Sequence, residues 1–455
     1  MNLSYKNGLI TIWMIIAILL LVLYSWFSIS VLLVIFLIGC GILFEIQLTE
    51  HKDRAPQRRL LCTVASVYMI TAVFSAYCFE DGKFFMMNDP TQYFIHLKMT
   101  TMDKDPLTSF VACYGLMNDN NEMHELFVRY CILFSNNYLD GASVIYLTLI
   151  NVFFGVISVG AVFRILRKVV SKDKAFQYSL AFALLCWFHY YSISFVRDII
   201  IACIYTHIIE MLLERFKFRN LILMLIFVFV VWGIRLYSGF FVVAFIAYYL
   251  FSLFSSKIGK KFVIVISAAT LIAALPVVSK FEAVTKSAEE INNYQEFSAE
   301  HASSTSLAAK LESLPPVVRE VSLILYTQIS PFPSYIGTID SAKDIFQFFL
   351  GLLCVICEFF WYIIAFGLLY MLFVEGGYKY LNIDDILLLG IICVFLYLNS
   401  SQIDMRRFMG VYPLILYYYL KTRFVFLKSV RLTNMNIRLI SGYIVLLVIY
   451  MLLKL

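Results

Sequence analysis

The chain has 455 residues, of which 62% are hydrophobic and only 15% are charged, with a net charge of +6 and a mean hydropathy of +0.84. A soluble protein carries about a quarter charged residues, so this composition excludes an ordinary soluble domain. The positive charge does not indicate nucleic-acid binding, because the basic residues lie in short loops between apolar runs.

Apolar runs that are long enough to cross a bilayer recur along the whole chain. They predict an all-α, polytopic membrane bundle of about 12 or 13 transmembrane helices. In chain order the predicted spans are 9–25, 28–46, 60–78, 141–163, 175–193, 199–214, 220–235, 239–254, 262–278, 348–373, 386–400, 409–427 and 439–453. A single tilted or broken helix remains an alternative for the first two spans and for the two spans around Arg235.

The basic loops predict how the chain is oriented in the membrane. Clusters of Lys and Arg follow alternate spans, at 52–59, 164–174, 215–219, 257–261 and 421–438. Short loops that are rich in Lys and Arg stay on the cytoplasmic side, so the N-terminus is predicted to lie in the cytoplasm. Thirteen spans would place the C-terminus outside, and twelve would place it inside.

Two long loops, at about 79–140 and 279–347, are predicted to lie on the outer face. Structureless loops of this length are uncommon unless they are functional. The first ends in HELFVRYCILFSNNYLD, which is typical of an amphipathic helix on the membrane surface. The second contains PPVVREVSLILYTQISPFPSYIG, a stretch that is apolar enough to re-enter the membrane. The chain has no internal repeat, so 1–455 is predicted to be one membrane domain with an external site beneath these loops.

The sequence predicts neither a metal site nor a cofactor. The ten cysteines lie mostly inside apolar runs, where they act as small core or lipid-facing residues. Cys354 and Cys357 have CxxC spacing, but their span offers no second pair of ligands. The motifs of P-loop ATPases, zinc proteases and serine hydrolases are absent from the sequence.

Four arginines stand at the outer ends of predicted spans: Arg197 in SFVRD, Arg235 in GIRLYSG, and Arg406 and Arg407 in SQIDMRRF. A cation in these places opposes the usual sorting of charge and is costly to desolvate if it points inward. A guanidinium group pairs with two phosphate oxygens at once, so the arginines predict a pyrophosphate-binding site, with Tyr237 as a further donor. Exposed turns with local Asp–Arg pairs, or a snorkelling Arg235, are the alternatives.

In a membrane protein, a lipid-linked pyrophosphate is the natural candidate for this site. Transfer of a sugar from such a lipid requires a base that removes the proton of the attacking hydroxyl. His189 and Asp198 are the candidate bases, and with Arg197 and Arg235 they form the predicted catalytic set. Glu358 is a further candidate, because it lies in the middle of a span. Acidic residues outside the spans could serve as base instead: Asp81, Asp89, Glu320 and Asp404. A divalent metal held by Asp81 and Asp89 is the alternative role for the carboxylates of the first outer loop.

The segments FVRDIIIA, GIRLYSGF and DMRRFMGVYP, with the many spans and the two long outer loops, resemble the Wzy-type O-antigen and polysaccharide-repeat polymerases, including the EpsG-like branch. The similar segments lie within residues 190–415. The resemblance implies an undecaprenyl-pyrophosphate-linked glycan as the donor, and a second lipid-linked repeat unit that supplies the attacking hydroxyl. It also implies a location in the bacterial inner membrane, with the reaction on its outer face.

The resemblance is incomplete at two motifs. The loop motif of some polymerases, an Arg followed after ten residues by Gly, is absent at Arg197, Arg235 and Arg319. The EpsG-like branch often has a His-x-Ser motif one span after the arginine helix, and this chain has Arg235-Leu-Tyr-Ser238 there. No catalytic histidine is therefore carried over from the family. The implied partners are the lipid-linked oligosaccharide, membrane lipid and a chain-length regulator protein, with no nucleic acid.

Two other classes of protein remain open at this point. A C-type lipid-linked glycosyltransferase or an O-antigen ligase would depend on an acidic residue of the first outer loop, such as Asp81 or Asp89. A flippase for lipid-linked oligosaccharides is disfavoured, because flippases have short loops and often an internal repeat.

Overall fold

The computed structural model describes residues 3–80, 122–214, 216–258, 311, 314–329, 339–340, 342–400, 405–427 and 432–454. Every regular element within these ranges is helical, so the predicted all-α fold is confirmed there. The α-helices are α1 (Leu3–Tyr24), α2 (Ile29–Leu48), α3 (Arg54–Glu80), α4 (Glu122–Tyr138), α5 (Val144–Arg167), α6 (Lys172–Leu185), α7 (Trp187–Ser192), α8 (Asp198–Leu212), α9 (Phe218–Ile234), α10 (Leu236–Ile258), α11 (Pro316–Thr327), α12 (Ile345–Leu369), α13 (Ile383–Ser400), α14 (Tyr412–Lys421) and α15 (Leu432–Lys454).

Several of these helices have the length and apolar character of membrane spans. Among the described residues, four helices are both long and apolar enough to cross a bilayer: Ile29–Leu48, His51–Phe79, Val144–Arg167 and Ile345–Val374. Four shorter apolar segments accompany them: Ile10–Tyr24, Phe218–Ile234, Ser238–Leu253 and Asn434–Val448. These helices indicate a membrane protein, while the number of crossings stays a prediction.

Helices occupy every predicted span except 262–278, which lies outside the described residues. The amphipathic segment at the end of the first outer loop is helical, as α4, and packs against α9. The stretch predicted to re-enter the membrane forms α11, which packs against α13. Most of both outer loops lies outside the described residues.

The fifth predicted span is not one continuous helix. It is interrupted at Cys186, where the backbone is extended (φ −100°, ψ 156°) and α6 gives way to α7. The Tyr68 hydroxyl donates to the Ala183 carbonyl over 2.7 Å. The His189 Nδ1 lies 3.1 Å from the Leu184 carbonyl oxygen. The break deprives these carbonyls of their helical hydrogen bonds, and the two side chains replace those bonds. An apolar interior requires such replacement, because no water is there to bond the carbonyls.

Helix α5 is the central element of the bundle. It packs against α2, α3, α6 and α8, and most of its side chains are buried. Its first turn is capped by Ser143, whose side chain accepts a hydrogen bond from the Tyr146 N–H over 3.3 Å. Its last turn carries Arg164 and Arg167, which places it at the predicted cytoplasmic end.

A buried charge network joins three helices at that end. Arg164 Nη1 lies 2.5 Å from Glu45 of α2, and Arg164 Nε lies 2.6 Å from Glu210 of α8. His207 Nε2 approaches the other oxygen of Glu45 at 3.2 Å. Buried charges are tolerated when each has partners, so this network fixes α2, α5 and α8 against one another.

Replacing Arg164 with Met should destabilise the protein strongly, because Glu45 would remain buried without its guanidinium partner. Removing one member of a buried pair costs roughly 3–5 kcal/mol. A thermal unfolding scan in detergent should show a clear fall in Tm. Lys172→Met, at an exposed position at the start of α6, is the control and should change Tm little. Equal Tm values for the two variants would contradict a stabilising role for the network.

Candidate anion-binding site

The structure brings the four arginines of the outer turns around one carboxylate, that of Asp198. Arg235 Nη1 lies 2.7 Å from Asp198 Oδ1, and Arg406 Nε lies 3.9 Å from Asp198 Oδ2. Arg197 and Arg407 also act electrostatically on this carboxylate. Asp198 therefore pairs most closely with Arg235, which is distant in sequence. The alternative of a local ion pair between Asp198 and its neighbour Arg197 is not what the structure shows.

This cluster is withdrawn from solvent. The exposed fractions are 3% for Arg235, 4% for Asp198, 6% for Arg197 and 7% for Arg407. Burial disfavours the charged form of Asp198, but the attraction of the four guanidinium groups acts in the opposite direction and is stronger. Asp198 is therefore an ionised carboxylate that holds the arginines, and a poor candidate for a base.

The cluster has the chemistry of an anion site. Four guanidinium groups act electrostatically on one carboxylate, and guanidinium groups bind phosphate oxygens in bidentate fashion. Nη1 of Arg197 is a buried nitrogen with no hydrogen-bond partner among the described residues. Such a nitrogen is costly unless a ligand completes its hydrogen bonding.

Arg235 stands at the tip of a helical hairpin. It is the one residue between α9 and α10, with an extended backbone (φ −157°, ψ 112°). At the other end of the pair, the Lys217 N–H donates to the Tyr249 hydroxyl over 2.8 Å, so the two helices are antiparallel. Gly239 allows their close approach, since a Cβ there would lie 3.1 Å from the Trp232 side chain. The alternative of a single tilted helix is thus excluded.

Asn151 of α5 positions the turn that carries Arg197. Its side-chain amide donates to the carbonyls of Ser194 (2.6 Å) and Val196 (2.8 Å), and Asn151 itself is buried. These bonds fix the backbone immediately before Arg197. Asn151 is not among the predicted site residues, although an isolated asparagine in the apolar run TLINVFFG is a signal that the sequence offers.

Tyr205 of α8 connects the other two turns. Arg406 and Arg407 lie in a 3₁₀ segment, Met405–Val411, which packs against α8. A Cβ on Gly410 in that segment would overlap the Tyr205 ring, so only glycine allows this approach. The Tyr205 hydroxyl also donates to the Ser238 carbonyl at the start of α10, over 2.6 Å. One side chain therefore sets the position of both segments.

The hydrogen bonds of His189 favour a structural role instead of the predicted catalytic one. Its Nε2 lies 3.0 Å from the Thr71 hydroxyl, its Nδ1 contacts the Leu184 carbonyl, and its ring stacks on Tyr68 at 4.7 Å. The ring is buried and both nitrogens are engaged within the protein.

Glu358, the carboxylate predicted in mid-span, pairs with a neighbouring helix. It is fully buried in α12 and accepts a hydrogen bond from the Tyr443 hydroxyl of α15 over 2.7 Å. This contact favours a structural role.

The remaining predicted site residues lie outside the described part of the chain: Asp81, Asp89, Asp404 and the side chain of Tyr237. Within the described part, no group of His, Cys, Asp or Glu side chains is arranged to hold a metal ion. The chain matches no family model, no curated protein and no solved structure. The function is therefore argued from the arginine cluster itself.

Gly410→Ala should displace the segment that carries Arg406 and Arg407, because the new methyl group meets the Tyr205 ring. Binding of inorganic pyrophosphate, measured by calorimetry on the purified protein, should weaken roughly ten-fold or more. Gly390→Ala is the matched control, because a Cβ at Gly390 meets nothing within 4 Å. Unchanged binding in both variants would show that this segment does not contribute to the anion site.

Proposed function

We propose that the protein is a polysaccharide polymerase of the bacterial inner membrane. It joins undecaprenyl-pyrophosphate-linked oligosaccharide repeat units into an O-antigen, capsular or exopolysaccharide chain at the outer face. The observation that carries this proposal is the convergence of Arg197, Arg235, Arg406 and Arg407 on Asp198 within an apolar helical protein. The resemblance of the same arginine segments to Wzy-type polymerases supports it.

The arginines act on the leaving group. The acceptor hydroxyl attacks C1 of the donor sugar, the C1–O bond to the pyrophosphate breaks, and the lipid pyrophosphate leaves with the bonding electrons. Negative charge on the pyrophosphate grows as the bond breaks, so fixed guanidinium groups stabilise the transition state more than the bound substrate. Burial strengthens this effect, because little water screens the charges.

Asp198 acts as a positioning residue in this mechanism. Its carboxylate holds Arg235 at 2.7 Å and keeps the guanidinium groups together before the substrate arrives. The proton of the acceptor hydroxyl passes to a base other than Asp198 and His189, since neither is arranged to accept it. Asp404, two residues before Arg406, and the outer-loop residues Asp81 and Asp89 are the candidates.

The membrane arrangement completes the proposal. The chain crosses the inner membrane about 12 or 13 times. The arginine turns lie at the end of α5 opposite to the basic residues Arg164 and Arg167, which the charge rule assigns to the cytoplasm. The reaction therefore takes place on the outer side of the membrane. The lipid pyrophosphate serves as the leaving group, so the reaction does not require a nucleotide-linked sugar.

Arg235→Ala should abolish chain growth, because the guanidinium nearest the centre of the cluster is lost. A loss of one stabilising donor or cation typically lowers the rate by about 10²–10³. Purified protein in proteoliposomes, supplied with lipid-linked repeat units on the accessible side, gives the product length by gel electrophoresis. Chain extension in this assay by the unchanged protein also excludes a flippase, which would transport the repeat units without joining them.

Two further variants make the result decisive. Arg235→Lys keeps a cation beside Asp198 and so preserves folding, but it cannot bind two oxygens at once and should remain strongly impaired. Arg219→Ala changes an exposed arginine at the opposite end of α9 and should extend chains normally. Long polymer from the Arg235 variants, with protein that elutes as a single folded species, would refute the proposed role of Arg235. A failure of the unchanged protein to extend chains would refute the proposed function.

A further inference from the structure

A cleft of about 640 Å³ lies between the α1–α2 turn and the loop from α4 to α5. Its lining combines an aromatic side chain with hydroxyl, amide and carboxylate groups: Ser25, Trp26, Asn136, Asp140 and Ser143. None of these residues belongs to the arginine cluster. A cleft of this size, with a few convergent polar groups, is typical of a small-ligand site.

Trp26 is presented at this cleft by a strained turn. Its exposed fraction is 90%, and it and Phe27 both have positive φ angles, 52° and 62°. Residues other than glycine rarely adopt this left-handed conformation, and two in succession are unusual. Strain of this kind persists where surrounding contacts enforce it, and it concentrates at ligand sites.

The opposite wall of the cleft is held rigidly by Asp140. Its carboxylate accepts hydrogen bonds from the N–H groups of Ile29 (2.7 Å) and Ser30 (3.0 Å), at the start of α2. The Ser30 hydroxyl also lies 2.6 Å from that of Ser135 in α4. Burial raises the pKa of Asp140, but the hydrogen bonds from Ser30 and its neighbours outweigh this and hold the pKa below its ordinary value. The wall is thus preformed and negatively charged at neutral pH.

The lining indicates which ligand would fit. It includes Asp140 but neither Lys nor Arg, so a phosphate group would be repelled. Tryptophan offers a rigid apolar face, and serine, asparagine and aspartate offer donors and acceptors for hydroxyl groups. This combination suits a neutral, hydroxyl-rich ligand with one apolar face, which describes a sugar ring.

The cleft lies close to the arginine turns. Ser143 caps α5, and Asn151, which holds the Arg197 turn, follows eight residues later on the same helix. Eight residues of α-helix rise about 12 Å. We propose that this cleft binds sugar residues of the glycan substrate while its pyrophosphate occupies the arginine cluster. This inference rests on the proposed function for the identity of the glycan.

The test measures binding of a glycan that has no pyrophosphate. The probe is the oligosaccharide repeat released by mild acid from the cell-surface polysaccharide of the host, titrated calorimetrically into the purified protein in nanodiscs. Trp26→Ala should weaken its binding roughly ten-fold, because the aromatic platform is lost. Phe27→Ala is the matched control, since Phe27 shares the strained turn and is 67% exposed but does not line the cleft.

The control separates a sugar site from a membrane anchor. If the turn served only to anchor the protein among lipid headgroups, Trp26→Ala and Phe27→Ala would reduce partitioning into phosphatidylethanolamine–phosphatidylglycerol vesicles alike, and neither would affect glycan binding selectively. That result, or an absence of oligosaccharide binding, would overturn the inference.

Arg235→Ala separates this inference from the proposed function. It should leave binding of the free oligosaccharide unchanged while chain extension is lost. Oligosaccharide binding by the unchanged protein without any chain extension would refute the polymerase and leave the sugar site standing, and normal chain extension by Arg235→Ala would refute only the role given to Arg235. Loss of extension without any oligosaccharide binding to the unchanged protein would refute only the sugar site.

Discussion

The buried ion pair between Asp198 and Arg235 is the constraint on which the rest of the outer end depends. Guanidinium groups are costly to withdraw from water, and a set of like charges repels itself. The carboxylate offsets part of that cost and gives separate turns of the chain a common point of attachment. Arg235 comes from the α9–α10 hairpin and Asp198 from the start of α8, and Arg406 from the 3₁₀ segment joins them. The site exists because three helix ends meet, not because one segment encodes it.

The two buried charge clusters, one at each end of the bundle, differ in the ratio of arginines to carboxylates. This ratio distinguishes a structural network from a candidate binding site. At the inner end, Arg164 pairs with Glu45 and Glu210, and His207 contacts the other oxygen of Glu45, so each of these groups has a partner within the protein. At the outer end, four guanidinium groups act on the one carboxylate of Asp198. A balanced network stabilises packing and has little need of a ligand. A cluster dominated by cations favours an anion with several oxygens, such as pyrophosphate.

Residues that hydropathy and charge sorting do not mark control the geometry of the site. Asn151 holds the turn before Arg197, and the contact between Gly410 and Tyr205 seats the segment with Arg406. Hydropathy and charge sorting do not identify such residues, because their role depends on which helix faces them. His189 shows the converse. Its titration range and its place near the arginines suggested a base, but it packs against Thr71 and Tyr68 at a helix break that hydropathy cannot detect.

The sequence by itself determined the helical class, the apolar character and the identity of the unusual arginines. These depend on composition and local periodicity, which need no partner. Only the tertiary structure decided that Asp198 belongs with Arg235, that α6 ends at Cys186, and that Trp26 stands beside Asp140 at a cleft. The first and the third are contacts between segments that are distant in the chain, and the break at Cys186 is stabilised by Tyr68 of another helix. Side-chain direction and helix packing set such contacts, and neither can be read from a single segment of sequence.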